Sequence, residues 1–228
     1  MKTIIITGAS QGIGAELVKL SSKEEGLRIY ALSRNEFKLK SLTKYKNVIP
    51  YKIDLIKEKE ILKFVDHLKE QNISINYLIN NAGLLINKSF SKYSYSDINK
   101  TFQTNVFAPM LLIKNLLSFF TKSAHILNIG SVGGVQGSLK FPGLSAYSSS
   151  KAALAVLTEC LAEEYKDSKL VFNCLALGAT QTEMFEKAFP KYKAPVTAYE
   201  MACFIKGFVF SEKCMINGKI IPVSSSNP

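Results

Sequence analysis

A β-branched run from Thr3 to Thr7 passes directly into Gly8-Ala9-Ser10-Gln11-Gly12-Ile13-Gly14, and a helix pattern follows over residues 15–23. A run this short and apolar suits a strand buried on both faces of a parallel sheet. Glycines let the backbone turn tightly and come close to a pyrophosphate, whose charge then meets the N-terminus of the following helix. Strand, turn and helix make the front of a βαβ unit. Gly8, Ser10, Gln11, Gly12, Ile13 and Gly14 are its candidate phosphate contacts. The spacing is Gly-x-x-x-Gly-x-Gly, not the Gly-x-Gly-x-x-Gly of the general dinucleotide fingerprint. Alone, such a cluster is also a plain turn. Placed at the end of a strand that begins at residue 3, it reads as a dinucleotide site.

Leu27–Leu32 reads as a second strand. At its end a fold that prefers NAD places a carboxylate on the ribose hydroxyls, about 20 residues beyond the glycines. Ser33 and Arg34 stand there instead. A carboxylate repels a 2′-phosphate, whereas a guanidinium pairs with one through charge-assisted bonds. The expectation is NADP(H) in preference to NAD(H), with Glu36 nearby read as the start of the next helix. Residues 36–45 are helical in pattern, Val48–Ile53 is a third strand ending at Asp54-Leu55, and Glu58–Gln71 is a helix with Ile61, Leu62, Val65 and Leu68 on one face. Ile75–Ile79 is a fourth strand, running into Asn80-Asn81-Ala82-Gly83. Thr101–Phe120 reads as one long helix interrupted at Pro109, because proline has no N–H to offer the Asn105 carbonyl four residues back. Ala124–Ile129 is a fifth strand with Gly130-Ser131 at its exit, and Leu170–Ala176 a sixth. Thr197-x-x-Glu200 is a capping box for a helix ending near Ser211, and Gly218–Val223 is the last strand. Ser224–Pro228 reads as a short polar tail.

Ala146-Tyr147-Ser148-Ser149-Ser150-Lys151 opens an Ala/Leu-rich helix that runs to Glu164, with Ser148, Ser149 and Ser150 as candidate caps. Residues four apart share a helix face, so Tyr147 and Lys151 sit side by side. A free phenol has a pKa of about 10. A neighbouring ammonium stabilises the phenolate and makes the pair a proton donor suited to neutral pH. Tyr-x-x-x-Lys also suits a wet helix face; the other motifs decide between the two readings.

Composition sets bounds on the rest. The chain has 228 residues, enough for one well-buried domain or two small ones, and its hydrophobic share of 47% and charged share of 21% are ordinary for a soluble globular protein. Its apolar runs, such as Phe107–Ile113, are too short to span a bilayer. The apolar stretch after Lys2 is too short for a signal peptide. Cys160, Cys174, Cys203 and Cys214 are widely spaced and have no histidine partner nearby, which argues against zinc or a disulfide framework and for reduced thiols in the cytoplasm. His67 and His125 receive no role. The net charge of +11 is spread along the chain, so a solvated surface is a better reading than nucleic-acid binding. No membrane association, metal or nucleic-acid partner is expected.

Taken together, Thr7-Gly8-x-x-x-Gly12-x-Gly14, Asp54-Leu55, Asn80-Asn81-Ala82-Gly83, Asn105, Gly130-Ser131, Tyr147-x-x-x-Lys151 and the Gly178–Thr182 turn resemble a classical-type short-chain dehydrogenase/reductase over nearly the full length. The motifs occur in that family's order. The resemblance implies an α/β fold spanning residues 1–228 as one Rossmann-type domain: a doubly wound parallel sheet of about seven strands with helices on both faces. It implies hydride exchange between NAD(P)(H) and a carbonyl or alcohol. Tyr147 then protonates the forming alkoxide, and Ser131 positions the carbonyl. Lys151 lowers the Tyr147 pKa and bonds the nicotinamide ribose, and the Asn105 backbone carbonyl holds a water on the proton path. Asp54 bonds the adenine amino group and Leu55 flanks the ring, Asn81, Ala82 and Gly83 pass the adenosine ribose, and Gly178, Thr180 and Thr182 face the nicotinamide carboxamide or pyrophosphate. Residues 183–198 resemble the family's substrate lid, apolar inside and basic outside. A homodimer or homotetramer is implied through the Asn105 and Tyr147 helices.

The chain departs from that pattern in places. Ser131 and Tyr147 lie sixteen positions apart, a few more than is usual, which leaves Ser138 and Ser145 as weaker alternatives to Ser131 and predicts a pocket wall near Phe141 and Leu144. Leu177 stands where the family has proline, which predicts a less rigid turn. The tail lacks the acidic, glycine-rich ending common in the family, which weakens the tetramer. A non-catalytic NADP(H)-binding sensor or scaffold on the same fold is the alternative function.

Overall fold

In the computed structural model, which describes residues 1–211 and 215–224, Ile4, Ile5 and Ile6 of strand β1 (Lys2–Thr7) are all fully buried. Successive strand side chains point to opposite faces, so Ile4 and Ile6 join one hydrophobic cluster and Ile5 the other. Helices α1 (Gly12–Ser21), α2 (Glu36–Lys40) and α8 (Ala198–Val209) supply the first cluster, with Leu17, Val18, Leu39, Met201 and Ile205. Helices α3 (Glu58–Glu70), α5 (Ala108–Leu116) and α6 (Ser145–Glu164) supply the second, with Ile61, Phe64, Leu68, Leu112, Ile113 and Ala162. A sheet covered on both faces explains the near-continuous apolar runs of its strands.

The other main strands are β2 (Leu27–Ser33), β3 (Val48–Lys52), β4 (Ile75–Asn80), β5 (Phe120–Ser131), β6 (Val171–Leu177) and β9 (Lys219–Val223). Seven strands form one parallel sheet in the order β3-β2-β1-β4-β5-β6-β9. The order reverses direction at β1, which pairs with both β2 and β4. Ligands of doubly wound sheets bind at such a switch point, beyond the carboxyl ends of the strands. Two short strands outside the main sheet, β7 (Thr180–Gln181) and β8 (Val196–Thr197), pair in parallel across the ends of the segment that holds helix α7 (Glu183–Ala188).

Three helices differ from their sequence-based expectation, the first being α2, which ends at Lys40 and gives way to turns where a helix over 36–45 is expected. The single helix expected over Thr101–Phe120 is α4 (Tyr95–Phe102), a π-helical turn at Gln103–Phe107, α5, and a 3-10 turn at Leu117–Phe119. Pro109 near the start of α5 has no N–H for the Asn105 carbonyl; just before it the helix widens, and the Ala108 N–H donates to the Gln103 carbonyl five residues back. Helix α6 begins at Ser145, so Ser148, Ser149 and Ser150 lie inside it and do not cap it. The Ser149 and Ser150 hydroxyls donate back to the carbonyls of Ser145 and Tyr147, at 2.7 Å each. The earlier start comes from the preceding turn, where Gly143 takes φ +85° and the Leu144 carbonyl accepts the Ser148 N–H at 2.8 Å. The Thr197–Glu200 capping box forms as the sequence predicts. Cys214 and residues 225–228 of the tail lie outside the described residues. No helix among the described residues is long and apolar enough to cross a membrane.

Candidate active site

A cavity of about 900 Å³ opens along the carboxyl ends of the central strands. At one part of its wall the glycine-rich turn carries Gly12 at φ +54° into α1, whose N-cap position, Gln11, makes no side-chain capping bond. The leading N–H groups of α1 are therefore left to an anion. Gly14 lies behind this turn, where a Cβ would collide with the Gly8 carbonyl oxygen and lie 2.6 Å from the Asn81 side-chain amide. Only a residue without a side chain lets turn, helix and the β4 exit pack this closely. The cradle fits a dinucleotide.

Thr7 and Asn81 fix the two strand ends to each other. The Thr7 hydroxyl accepts the N–H groups of Asn81 and Ala82, at 3.0 and 2.9 Å. The Asn81 amide donates to the Thr7 carbonyl at 2.9 Å. Beyond β2, the Ser33 hydroxyl donates to Ser10 at 2.8 Å, and Arg34 lines the cavity. Glu36 begins α2, as the sequence predicts, and its carboxylate pairs with Lys52 at 3.0 Å. Asp54 and Leu55 line the same cavity, and the Asp54 N–H donates to Glu60 at 2.7 Å.

At the carboxyl end of β5, Ser131 meets α6. Tyr147 hydrogen-bonds Ser131, which pulls the phenol pKa down, while enclosure by protein pushes it up and dominates. Lys151, one helical turn on, is buried, with its Nζ 5.9 Å from the centre of the Tyr147 ring. The Lys151 ammonium donates to the Ile129 carbonyl at 2.7 Å, and burial brings its pKa from 10.5 down to about 8. Asn105 is fully buried behind this group. Its side chain accepts the Leu84 N–H at 2.7 Å and donates to the Leu84 carbonyl and the Ser150 hydroxyl, both at 2.9 Å. It thereby ties the π-helical turn to the loop after β4 and to α6.

Apart from the alternatives Ser138 and Ser145, the cavity is lined by every site residue marked from the sequence except Gly14 and Asn105, which stand directly behind its wall. Ser138, one alternative to Ser131, donates its hydroxyl to the carbonyls of Val132 and Val135, and neither Ser138 nor Ser145 lines the cavity. Phe141 and Leu144 do line it, as the longer loop suggests. The Gly178 turn is tied down despite Leu177: the Gly178 N–H donates to the Val223 carbonyl at 2.8 Å, and β7 pairs with β8. Thr182 lines the cavity and caps α7 by accepting the Phe185 N–H at 3.2 Å.

Sequence reasoning passed over a buried chain of polar groups under the site. The Asn80 amide donates to Asn128 at 2.9 Å, and the Asn128 amide to Thr158 at 2.9 Å, joining β4, β5 and α6. Its signal was present, since Asn128 is a polar residue in the middle of an apolar strand. Among the described residues, no cluster of three or more His, Cys, Asp or Glu side chains is placed to hold a metal.

Comparison with known proteins agrees with this geometry. The family model for short chain dehydrogenases matches residues 2–193. An L-xylulose reductase of Caenorhabditis elegans is 32% identical over 191 residues, covering 80% of this chain and 73% of that protein. A benzil reductase ((S)-benzoin forming) of Bacillus subtilis is 34% identical over 191 residues, covering 81% and 76%. The crystal structure of a short chain dehydrogenase from Burkholderia cenocepacia in complex with NADP superposes with a TM-score of 0.86 over 98% of this chain and 96% of that one; at 23% identity it speaks for the fold alone. Switch-point cleft, glycine-rich turn, the Ser131–Tyr147–Lys151 cluster and the match over residues 2–193 converge, and the chain belongs to the short chain dehydrogenase family of oxidoreductases.

Proposed function

We propose that this chain exchanges a hydride between NADP(H) and a carbonyl or alcohol, with Tyr147 as the proton donor in reduction. The observation that carries this reading is the meeting of Ser131, Tyr147 and Lys151 in the cavity that the glycine-rich turn and Arg34 also line. The bound nicotinamide cofactor supplies or takes up the hydride. The α1 N-terminus and the turn Gly8–Gly14 would hold its pyrophosphate, Ser33 and Arg34 the 2′-phosphate, Asp54 and Leu55 the adenine, and Asn81, Ala82 and Gly83 the adenosine ribose. Gly178, Thr180 and Thr182 would hold the carboxamide end, and Lys151 the nicotinamide ribose.

The chain's own groups supply orientation and the proton. Ser131 donates to the carbonyl oxygen and holds it against the Tyr147 hydroxyl. Tyr147 releases its proton to that oxygen as negative charge develops there. Lys151, anchored on the Ile129 carbonyl, places positive charge beside the resulting phenolate. The backbone at Asn105, shifted by the π-helical turn, carries the water path that returns the proton. The segment 183–198, several of whose residues line the cavity, would serve as its lid.

The test is NADPH and NADH oxidation against a panel of ketones, aldehydes and diketones. The Tyr147→Phe variant should lose roughly 10²–10⁴-fold in turnover, the usual contribution of a positioned acid, while still binding NADPH. Turnover equal to the parent's would remove Tyr147 from the mechanism. Tight NADPH binding by both proteins with turnover by neither favours the sensor or scaffold reading. We also propose a cytoplasmic homodimer built on α5 and α6, where Met110 and Val156 are exposed; a monomeric mass by light scattering would contradict it.

A further inference from the structure

We infer that the substrate of this site is a ketone or aldehyde whose carbonyl carries an aryl group, and not a polyhydroxylated ketone. The inference deepens the function proposed above and rests on it. The part of the cavity lining that the cofactor contacts do not claim includes the apolar residues Val132, Phe141, Leu144, Met184, Phe185 and Phe189. Three lid aromatics form a ladder: the Phe185 and Phe189 rings are 5.2 Å apart at 39°, and Phe189 meets Tyr192 edge-on at 6.4 Å and 84°. Phe141 lines the cavity from the longer loop before α6.

Such a wall offers ring faces and edges to a flat apolar group and almost nothing to hydroxyls. A hydroxyl taken out of water without a partner is costly, so a ketose bearing several of them is disfavoured by lack of partners. Among the polar side chains of this cavity, Glu183 lies beside Gly12 at the glycine-rich turn and Thr104 offers a single hydroxyl. Ser131 and Tyr147 bond each other and serve the reacting oxygen, while Thr182 caps α7. Lys193 is the cation of this wall, and it suits a carboxylate or π-face better than a neutral polyol. An aryl ring between the ladder and Phe141 gains both area burial and ring–ring contact. The two relatives described above are named for substrates at opposite ends of this choice, a ketose and a diaryl diketone. The wall of this chain selects the aromatic end.

The experiment compares benzil, butane-2,3-dione and L-xylulose as substrates with NADPH, in the parent protein and in Phe189→Ala and Phe185→Leu. The expected order of kcat/KM is benzil, then butanedione, then L-xylulose. Phe189→Ala should lower kcat/KM for benzil roughly tenfold, the equivalent of losing one good aromatic contact, and leave butanedione within about threefold. Phe185→Leu, which keeps apolar bulk, should show the same discrimination in weaker form. A preference for L-xylulose, or an equal loss on benzil and butanedione in both variants, overturns the inference. Thermal stabilisation of the NADP⁺-saturated protein by each compound is measured in parallel. Stabilisation by benzil and not by L-xylulose, without turnover, keeps the aromatic wall and removes the reductase reading. Stabilisation by neither, without turnover, overturns both.

Discussion

Arg34 is the residue on which the proposed cofactor preference turns. The carboxylate that could have neutralised it, Glu36, is drawn to Lys52 at 3.0 Å, and the Lys52 ammonium holds the Glu36 carboxyl below its usual range. Lys38, one turn into α2, donates to the Gln11 side chain at 2.9 Å and adds a second cation over the glycine-rich turn. The field at the end of β2 therefore favours a phosphate, and the Ser10–Ser33 hydroxyl pair offers neutral donors beside it. A hydrogen bond to a charged partner is worth roughly 1.5–3 kcal/mol, or about 10–100-fold in binding. Arg34→Asp should thus shift the ratio of kcat/KM for NADPH over NADH towards NADH by roughly that factor. An unchanged ratio would mean that the 2′-phosphate is read elsewhere. At Tyr147 the residue pattern carries only part of the surroundings. Its four-residue spacing from Lys151 is visible in the sequence, but burial and the Ser131 bond dominate its surroundings, and the Lys151 ammonium is directed to the Ile129 carbonyl.

Among the elements, α7 and the segment after it depend on contacts made by residues far away in sequence. The Gln181 side chain stitches the base of the segment, donating to Glu186 and accepting the Ala194 N–H, both at 2.8 Å. At the far end of α7 the Asn87 amide donates to the Ala188 carbonyl at 2.9 Å. Asn87 reaches it by lying against Gly143, where a Cβ would collide with the Asn87 side-chain oxygen. The Gly143 carbonyl is in turn held by the Lys88 N–H and the Tyr93 hydroxyl, at 3.1 and 2.8 Å. Asn87→Ala removes the bond, and Gly143→Ala displaces Asn87 and strains a backbone at φ +85°. Both variants should free α7 to open, and trypsin should cut after Lys187, Lys191 and Lys193 severalfold faster than in the parent, because cleavage follows the population of the open form. Cleavage at the parent rate in both would show that this bond does not restrain the lid. None of these contacts has a local signature. The strands, the glycine-rich turn and the α8 cap were legible because a short β-branched apolar run, a glycine and a capping box each act over a few residues. The start of α6 rests on the Gly143 turn, which Lys88 and Tyr93 hold from far back in the chain, and the Asn87–Ala188 bond joins residues still farther apart, so neither was legible.

Of the titratable groups buried in the sheet, Tyr30, His125 and Cys174, the histidine is the one whose shift falls in the acid range and links the fold's stability to low pH. His125 on β5 is 4% exposed. Its Nε2 lies 3.3 Å from the Asn173 side chain on β6, its ring packs against Phe208 at 5.6 Å, and it also bonds the backbone of Val209 at the end of α8. Asn173 continues the connection by accepting the Lys219 N–H at 3.1 Å and donating to the Ile216 carbonyl at 3.0 Å, which carries β6 to β9. Burial favours the neutral imidazole and lowers the His125 pKa from 6.5 to about 4. Between those two values the unfolded chain binds a proton that the folded chain refuses. Stability is then complete above about pH 6.5, falls as the pH drops through that window, and levels off near pH 4. From pH 7.5 to pH 5 the loss from this group is about 2 kcal/mol. His125→Gln keeps a polar side chain but removes the titration. It should be less stable than the parent at pH 7.5, since a buried hydrogen-bonded fit is disturbed, yet lose about 2 kcal/mol less on going to pH 5. Urea unfolding at the two pH values measures both quantities. Parallel losses in parent and variant would show that His125 takes up its proton without cost in the folded chain, and that acid sensitivity resides in other groups.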